Sequence, residues 1–333
     1  MRFLKNIFVI IFVCASFQQI QAGWEKQDSN TLAWLRTVFF VDAKVGWIGG
    51  SKGTFLSTKD GGKTWIREGK FTDDTIREVF FLDRNNGWLL LERSIFSLGS
   101  NPPSYLMKTT NGGRNWEKID FINAQRQRIT GIFFSKNGFG LAVGETGALF
   151  GLKDDNLNWK KLSSPSRYLI LGGAFVNELR SVIVGGGGTI FFTDDAGVSW
   201  NRATVSGRSR SKLNSVFFVN KRDGWTVGSN GKIYQTFNGG KFWRAQYSNI
   251  ESELTDVSFI DTAEGWAIGD QGTILHTKTA GNVWYRVNSR DKHRLEKIFF
   301  VGKKGWIVGF GGTVLSYEPD GRRSRNRPTF RTR

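Results

Sequence analysis

Short apolar runs alternate with glycine-centred turns along most of this chain, and the alternation repeats. Each unit opens on Val-Phe-Phe or a close variant, continues as Gly-Trp-x-x-Gly-x-x-Gly-Thr and closes on Thr-x-Asp-Gly-Gly-x-x-Trp. The first copy is Val38-Phe39-Phe40, Gly46-Trp47, Gly53-Thr54 and Thr58-Lys59-Asp60-Gly61-Gly62-Lys63-Thr64-Trp65. Stretches such as Thr273-Ile274-Leu275-His276 read as half-buried strands. The Asp-Gly-Gly turns need a positive φ, which glycine adopts without a Cβ clash. Later closing tryptophans fall at Trp116, Trp159, Trp200, Trp243 and Trp284, at intervals of 41 to 51 residues. That period fits one four-stranded propeller blade.

Seven copies begin at Val38, Val79, Ile132, Ala174, Val216, Val257 and Ile298. The seventh has Gly305-Trp306 and Gly312-Thr313 but no closing tryptophan after it. Trp24 precedes Val38 by 14 residues, as Trp65 precedes Val79 and Trp284 precedes Ile298. The prediction is an all-β, seven-bladed β-propeller whose last blade is closed by the mature N-terminal strand, which hides two sheet edges. The closing tryptophans are expected to fill the wedges between twisted sheets.

Residues 1–22 read as a signal peptide. Arg2 and Lys5 are followed by an apolar stretch of 11 residues, Ile7 to Phe17, too short to span a bilayer, and cleavage is placed after Ala22. An uncleaved anchor is the alternative. Val13 is larger than the small residue expected before a lipid-modified cysteine, which argues against a lipid anchor on Cys14. The propeller is placed at 23–317 and a basic tail, expected to be disordered, at 318–333.

Composition sharpens this picture. The 333 residues include 41 Gly, 13 Trp and 28 Phe but one Cys and two His. So many rings exclude a disordered chain, and one cysteine excludes a disulfide framework. His276 on a strand and His293 in a loop make no metal site, and no cofactor is expected.

The turns Thr58–Trp65 and Thr193-Asp194-Asp195-Ala196-Gly197-Val198-Ser199-Trp200 resemble the Asp-box of sialidase-type repeats. With the seven ordered copies, the chain from about Trp24 to Tyr317 resembles the photosystem II assembly and stability factor family. Blade three departs at Asp154-Asp155-Asn156, and blade four has Ser181-Val182 in place of Gly-Trp. The resemblance implies a secreted, non-enzymatic scaffold that holds a membrane-protein precursor in the periplasm or thylakoid lumen. The partners are then a membrane-protein or envelope-complex client with acidic segments, and a monomer is expected.

The formal net charge is +18, falling by two when Arg2 and Lys5 leave with the leader. In a propeller, the loops from one blade's outer strand to the next blade's inner strand gather on one face. Those loops and the long second-to-third connection of blade two, Glu92 to Ser104, carry the candidate partner-binding residues. They are Arg77, Arg93, Arg126, Arg128, Arg167, Arg208, Arg210, Lys212, Arg290, Lys292 and Arg294. Arginine forks grip carboxylates with paired hydrogen bonds, so acidic segments suit this face. A merely solvated surface is the plain alternative. Anionic polysaccharide or lipid headgroups would suit the same charges. Arg322, Arg323, Arg325, Arg327, Arg331 and Arg333 in the tail could meet an anionic membrane.

A sialidase-like glycoside hydrolase is the enzymatic alternative. It needs facing carboxylates about 5–9.5 Å apart, whereas Asp60, Asp195 and Asp261 are committed to turns. Nucleic acid fits the charge, but secretion and aromatics committed to packing argue against it.

Overall fold

The computed structural model describes residues 23–319 apart from 95–98, 120, 122–126, 153–157, 208–209 and 290. Seven sheets stand around a central channel, six of four strands and one of five. Their inner strands are Leu35–Phe40, Thr75–Phe81, Ile129–Phe134, Ile170–Phe175, Leu213–Phe218, Leu254–Phe259 and Leu295–Val301. The first packs against both the second and the seventh, so the ring closes. Trp24–Gln27 is the outer strand of blade seven, antiparallel to Val314–Tyr317 with Trp24 opposite Tyr317.

Aromatic side chains join the blades. The tryptophan of each Gly-Trp lies on the second strand and stacks on the phenylalanine of the next blade's inner strand. Trp306 meets Phe40 at 3.6 Å between centroids, Trp47 meets Phe81 at 3.7 Å and Trp225 meets Phe259 at 3.5 Å. The outer tryptophans of the same units, Trp65, Trp243 and Trp284, stand edge-on to Phe40, Phe218 and Phe259 at 5.9 Å. Offset and edge-to-face contacts of this kind add to what area burial alone contributes. The glycine before each tryptophan is required by the phenylalanine opposite it: a Cβ on Gly46 would lie 2.4 Å from the Phe40 ring.

Blade four breaks this pattern, and its register differs by one from the sequence reading. Ala174 lies opposite Val182, the place that Phe217 takes opposite Trp225, and Gly173 lies opposite Ile183 in the valine place. The unit therefore starts at Gly173. The run Gly172-Gly173-Ala174 offers no Phe-Phe pair to align, and only the backbone ladder reveals the offset.

The Asp-box turns hold themselves. Thr58 Oγ1 accepts from the Gly62 amide at 2.9 Å, and Asp60 accepts from the Thr64 amide at 3.0 Å and hydroxyl at 2.7 Å. Asp195 repeats this, and hydrogen bonds from the Ser199 hydroxyl and amide hold its carboxyl down to about 2. Asn111, Asn238 and Thr279 accept the same amide bond in other blades.

Backbone bonds define the two faces. On one, second-to-third turns meet the crossovers between blades: the amides of Gly53, Gly231, Gly272 and Gly312 donate to the carbonyls of Asp74, Ser252, His293 and Ala33. On the other, the Asp-box turns meet the first-to-second turns, through Gly61 to Lys44 and Gly239 to Arg222.

Candidate partner-binding face

Every inner strand begins at the crossover face and carries a register shift within its first three residues. The residues at the shift are Arg36, Arg77, Thr130, Leu171, Asn214, Thr255 and Glu296. A β-bulge re-aims the side chain at the extra residue, and all seven line a cavity of about 280 Å³ at the axis of the ring. Several also tie neighbouring blades together. Thr130 donates to the Ile170 carbonyl at 2.6 Å, Asn214 to Leu254 at 2.7 Å and Thr255 to Leu295 at 2.8 Å.

The next position inward holds a second polar tier. Asp256 accepts from Ser215 Oγ at 2.5 Å and from the Ile298 amide at 3.0 Å, with Lys297 Nζ 3.8 Å away. Burial works against the Lys297 ammonium, but the Asp256 and Glu78 carboxylates more than offset it and hold its pKa above the ordinary value. Glu78 is driven up by burial.

Around the channel mouth the basic residues alternate with carboxylates in two arcs. One runs Arg77–Glu92–Arg128–Glu145, with Arg77 2.6 Å from Glu92 and Arg128 bonded to Glu92 and 3.6 Å from Glu145. The other runs Lys212–Glu253–Arg294–Glu296–Arg36. Lys212 lies 2.7 Å from Glu253, while Arg294 and Arg36 reach Glu296 at 3.0 and 3.1 Å, and Arg294 also pairs with Asp270. Trp34 donates to Glu296 at 2.7 Å and lies beneath the Arg36 guanidinium, 3.5 Å from its ring centroid. Burial alone would raise Glu253, but Lys212 and Asn214 hold its carboxyl below the ordinary value.

The structure therefore sorts the residues singled out from the sequence. Arg77, Arg128, Lys212 and Arg294 come together at the mouth, each already matched by a carboxylate. Arg167, Arg210 and Lys292 stand exposed on the same face with no ion pair among the described residues, as do Arg202 and Arg286. Arg126, Arg208 and Arg290 lie outside the described residues, as do residues 1–22 and the arginines from 322 to 333. Arg93 is a correction. It is 9% exposed, donates to the Pro102 carbonyl and covers the Tyr105 ring at 4.3 Å, so it braces the blade-two connection. Sequence reasoning missed Arg36, Glu253 and Glu296. Their signal was the residue just after the leucine that opens the inner strand, or just before it, once per repeat.

The family profile described as "Photosynthesis system II assembly factor YCF48" matches residues 17–164, 123–237 and 235–327. The chain belongs to this family. It is 28% identical over 130 residues to the chloroplastic photosystem II stability/assembly factor HCF136 of Guillardia theta, covering 39% of this chain and 32% of that protein. Against the photosystem II assembly lipoprotein Ycf48 of Picosynechococcus sp., identity is 25% over 280 residues, 71% of this chain and 82% of the relative. The chain thus spans about a third of the first relative and most of the second. YCF48 from Cyanidioschyzon merolae superposes with a TM-score of 0.72 at 19% identity, over 90% of this chain and all of that one. A structure described as YCF48 bound to D1 peptide superposes at 0.71 with 22% identity, over 91% and 99% of the two chains. These two establish the shared propeller.

Proposed function

We propose that this protein is a non-enzymatic assembly scaffold, acting in the periplasm or a lumen, that docks acidic segments of a membrane-protein or envelope-complex partner on its crossover face. The observation that carries the reading is a set of exposed cations on the crossovers and outer strands, Arg167, Arg202, Arg210, Arg286 and Lys292, with no ion pair among the described residues. Family membership supports it, as does a fold relative described as holding a peptide. Contacts to exposed cations are individually weak, so affinity comes from several acting together. The alternating arcs at the mouth give this face shape, while its unmatched outer cations give it a net attraction for anions.

The test is a pulldown from detergent-solubilised membranes of the native host at two salt concentrations, comparing wild type with Arg167→Glu/Arg286→Glu/Lys292→Glu. A membrane protein that co-purifies with wild type, weakens with salt and is lost with the variant supports the reading. The same proteins recovered with both forms would refute it. Retention on acidic polysaccharide or anionic vesicles without any protein client would replace it with the headgroup or glycan reading.

A further inference from the structure

Blade four differs from its neighbours in two ways that meet at one place. Its second-to-third turn is Gly186-Gly187-Gly188, with Gly187 at φ 66°. The same left-handed position carries a side chain in four other blades: Lys52, Thr146, Asn230 and Gln271, at φ 53–57°. The chain then leaves the outer strand Asn201–Arg202 and runs Thr204–Val205 parallel to Phe242–Gln246 of blade five, pairing Thr204 with Phe242 and Val205 with Trp243. This makes blade five the five-stranded sheet.

Between the two blades lies a cleft of about 660 Å³, separate from the axial cavity. Its floor is apolar: Ile190, Leu213 and Tyr234 are at most 4% exposed. The Tyr168 ring, 63% exposed, stands at the lip beside Gly187. Arg202, on the outer strand of blade four, and Arg210, just before the inner strand of blade five, also line it, both exposed and without an ion pair among the described residues. Apolar floor and unmatched guanidiniums together call for a ligand that carries both an apolar group and anionic charge.

We propose that this cleft is a specificity pocket for a peptide in which one aromatic or large aliphatic side chain is flanked by carboxylates. The side chain fills the floor and the carboxylates meet Arg202 and Arg210. Two guanidiniums carried by different elements suit a ligand with more than one carboxylate around its apolar residue, whereas a lipid offers one headgroup at the end of its chain. The pocket rests on the acidic-segment reading above and adds to it a selection that charge alone does not provide.

The test uses two fluorescein-labelled pentapeptides, four glutamates around a central phenylalanine and the same with a central alanine, titrated against the full mature chain. Gly187→Asn places a side chain at the lip. Blade five already carries Asn230 at this position, and a Cβ on Gly187 comes no nearer than 4.0 Å to Tyr168. Wild type is expected to favour the phenylalanine peptide by about tenfold. Gly187→Asn should erase that preference while leaving the alanine peptide within about twofold of wild type. Arg202→Gln/Arg210→Gln, two surface changes with unaltered melting, should weaken the phenylalanine peptide more than the alanine one.

Equal affinity of wild type for the two peptides overturns the pocket, as does a preference that survives Gly187→Asn. If both peptides bind equally and are lost in Arg167→Glu/Arg286→Glu/Lys292→Glu, the docking face stands without the pocket. If neither peptide binds, both readings fall. If anionic vesicles bind in their place, the cleft belongs to a lipid.

Discussion

The channel mouth and the lip of blades four to six carry the same kind of residue in opposite states. At the mouth, Arg77, Arg128 and Arg294 sit on or beside inner strands, where the same blade or the preceding one supplies Glu92, Glu145, Glu253 or Glu296. On the lip, Arg167, Arg202, Arg210 and Lys292 project from crossovers and outer strands with no ion pair among the described residues. A cation near the axis has neighbours on both sides, because the ring narrows there. One at the rim faces only water. The difference teaches that net charge marks a basic protein, whereas pairing separates the cations that hold the ring from those that face solvent. The inner arcs bind blades together, and the outer set remains available to a partner.

Several substitutions would break or sharpen that contrast. Glu296→Ala removes the shared acceptor of Arg36, Arg294 and the Trp34 indole. That strands the partly buried Arg36 guanidinium and the Trp34 indole, while Arg294 keeps Asp270, and should cost about 3 kcal/mol in urea unfolding. A loss under about 1 kcal/mol would show that the arc is ornamental to stability. Glu92→Gln keeps the shape but takes the charge between Arg77 and Arg128. It should cost about 1.5–3 kcal/mol by the same assay.

Acid should dissolve the contrast. Glu253 sits below its ordinary value in the folded protein, so its contribution is present above the unfolded carboxylate range and is lost as pH falls through the folded value. Urea midpoints measured from about pH 5 down to about pH 3 should decline, and Glu253→Gln should flatten part of that decline. A curve of identical slope in the variant would contradict the assignment. The smallest expected effect is at the rim. Lys292→Gln and Arg167→Gln should leave stability within about 0.5 kcal/mol and show themselves only as weaker, less salt-dependent binding of acidic peptides.

Much of this architecture was legible in the chain. The Phe-Phe pairs and Gly-Trp dipeptides are the two halves of the blade-to-blade stack seen in Trp47 on Phe81 and Trp306 on Phe40. The missing seventh tryptophan pointed directly to Trp24. Where the aromatic signal lapsed, so did the reading: Gly172-Gly173-Ala174 hid a one-residue offset. Thr204–Val205 is too short a strand to announce its parallel pairing with blade five. The basic face was legible as loop composition, but its division was not. Arg36 and Glu296 are 260 residues apart and meet only because the ring closes. Arg93 looked like a loop cation, yet its guanidinium lies over the Tyr105 ring, bonds to the Pro102 carbonyl and is buried.

The most direct test of the central claim is photo-crosslinking in the native host from a benzophenone side chain at one position at a time. Arg167 lies on the crossover face, and Val198, 67% exposed, lies in an Asp-box turn on the opposite face. The account predicts an adduct with a membrane protein from position 167 that fades as salt is raised, and none from position 198. An adduct from position 198 with none from position 167 would place the partner on the wrong side of the disc and contradict it.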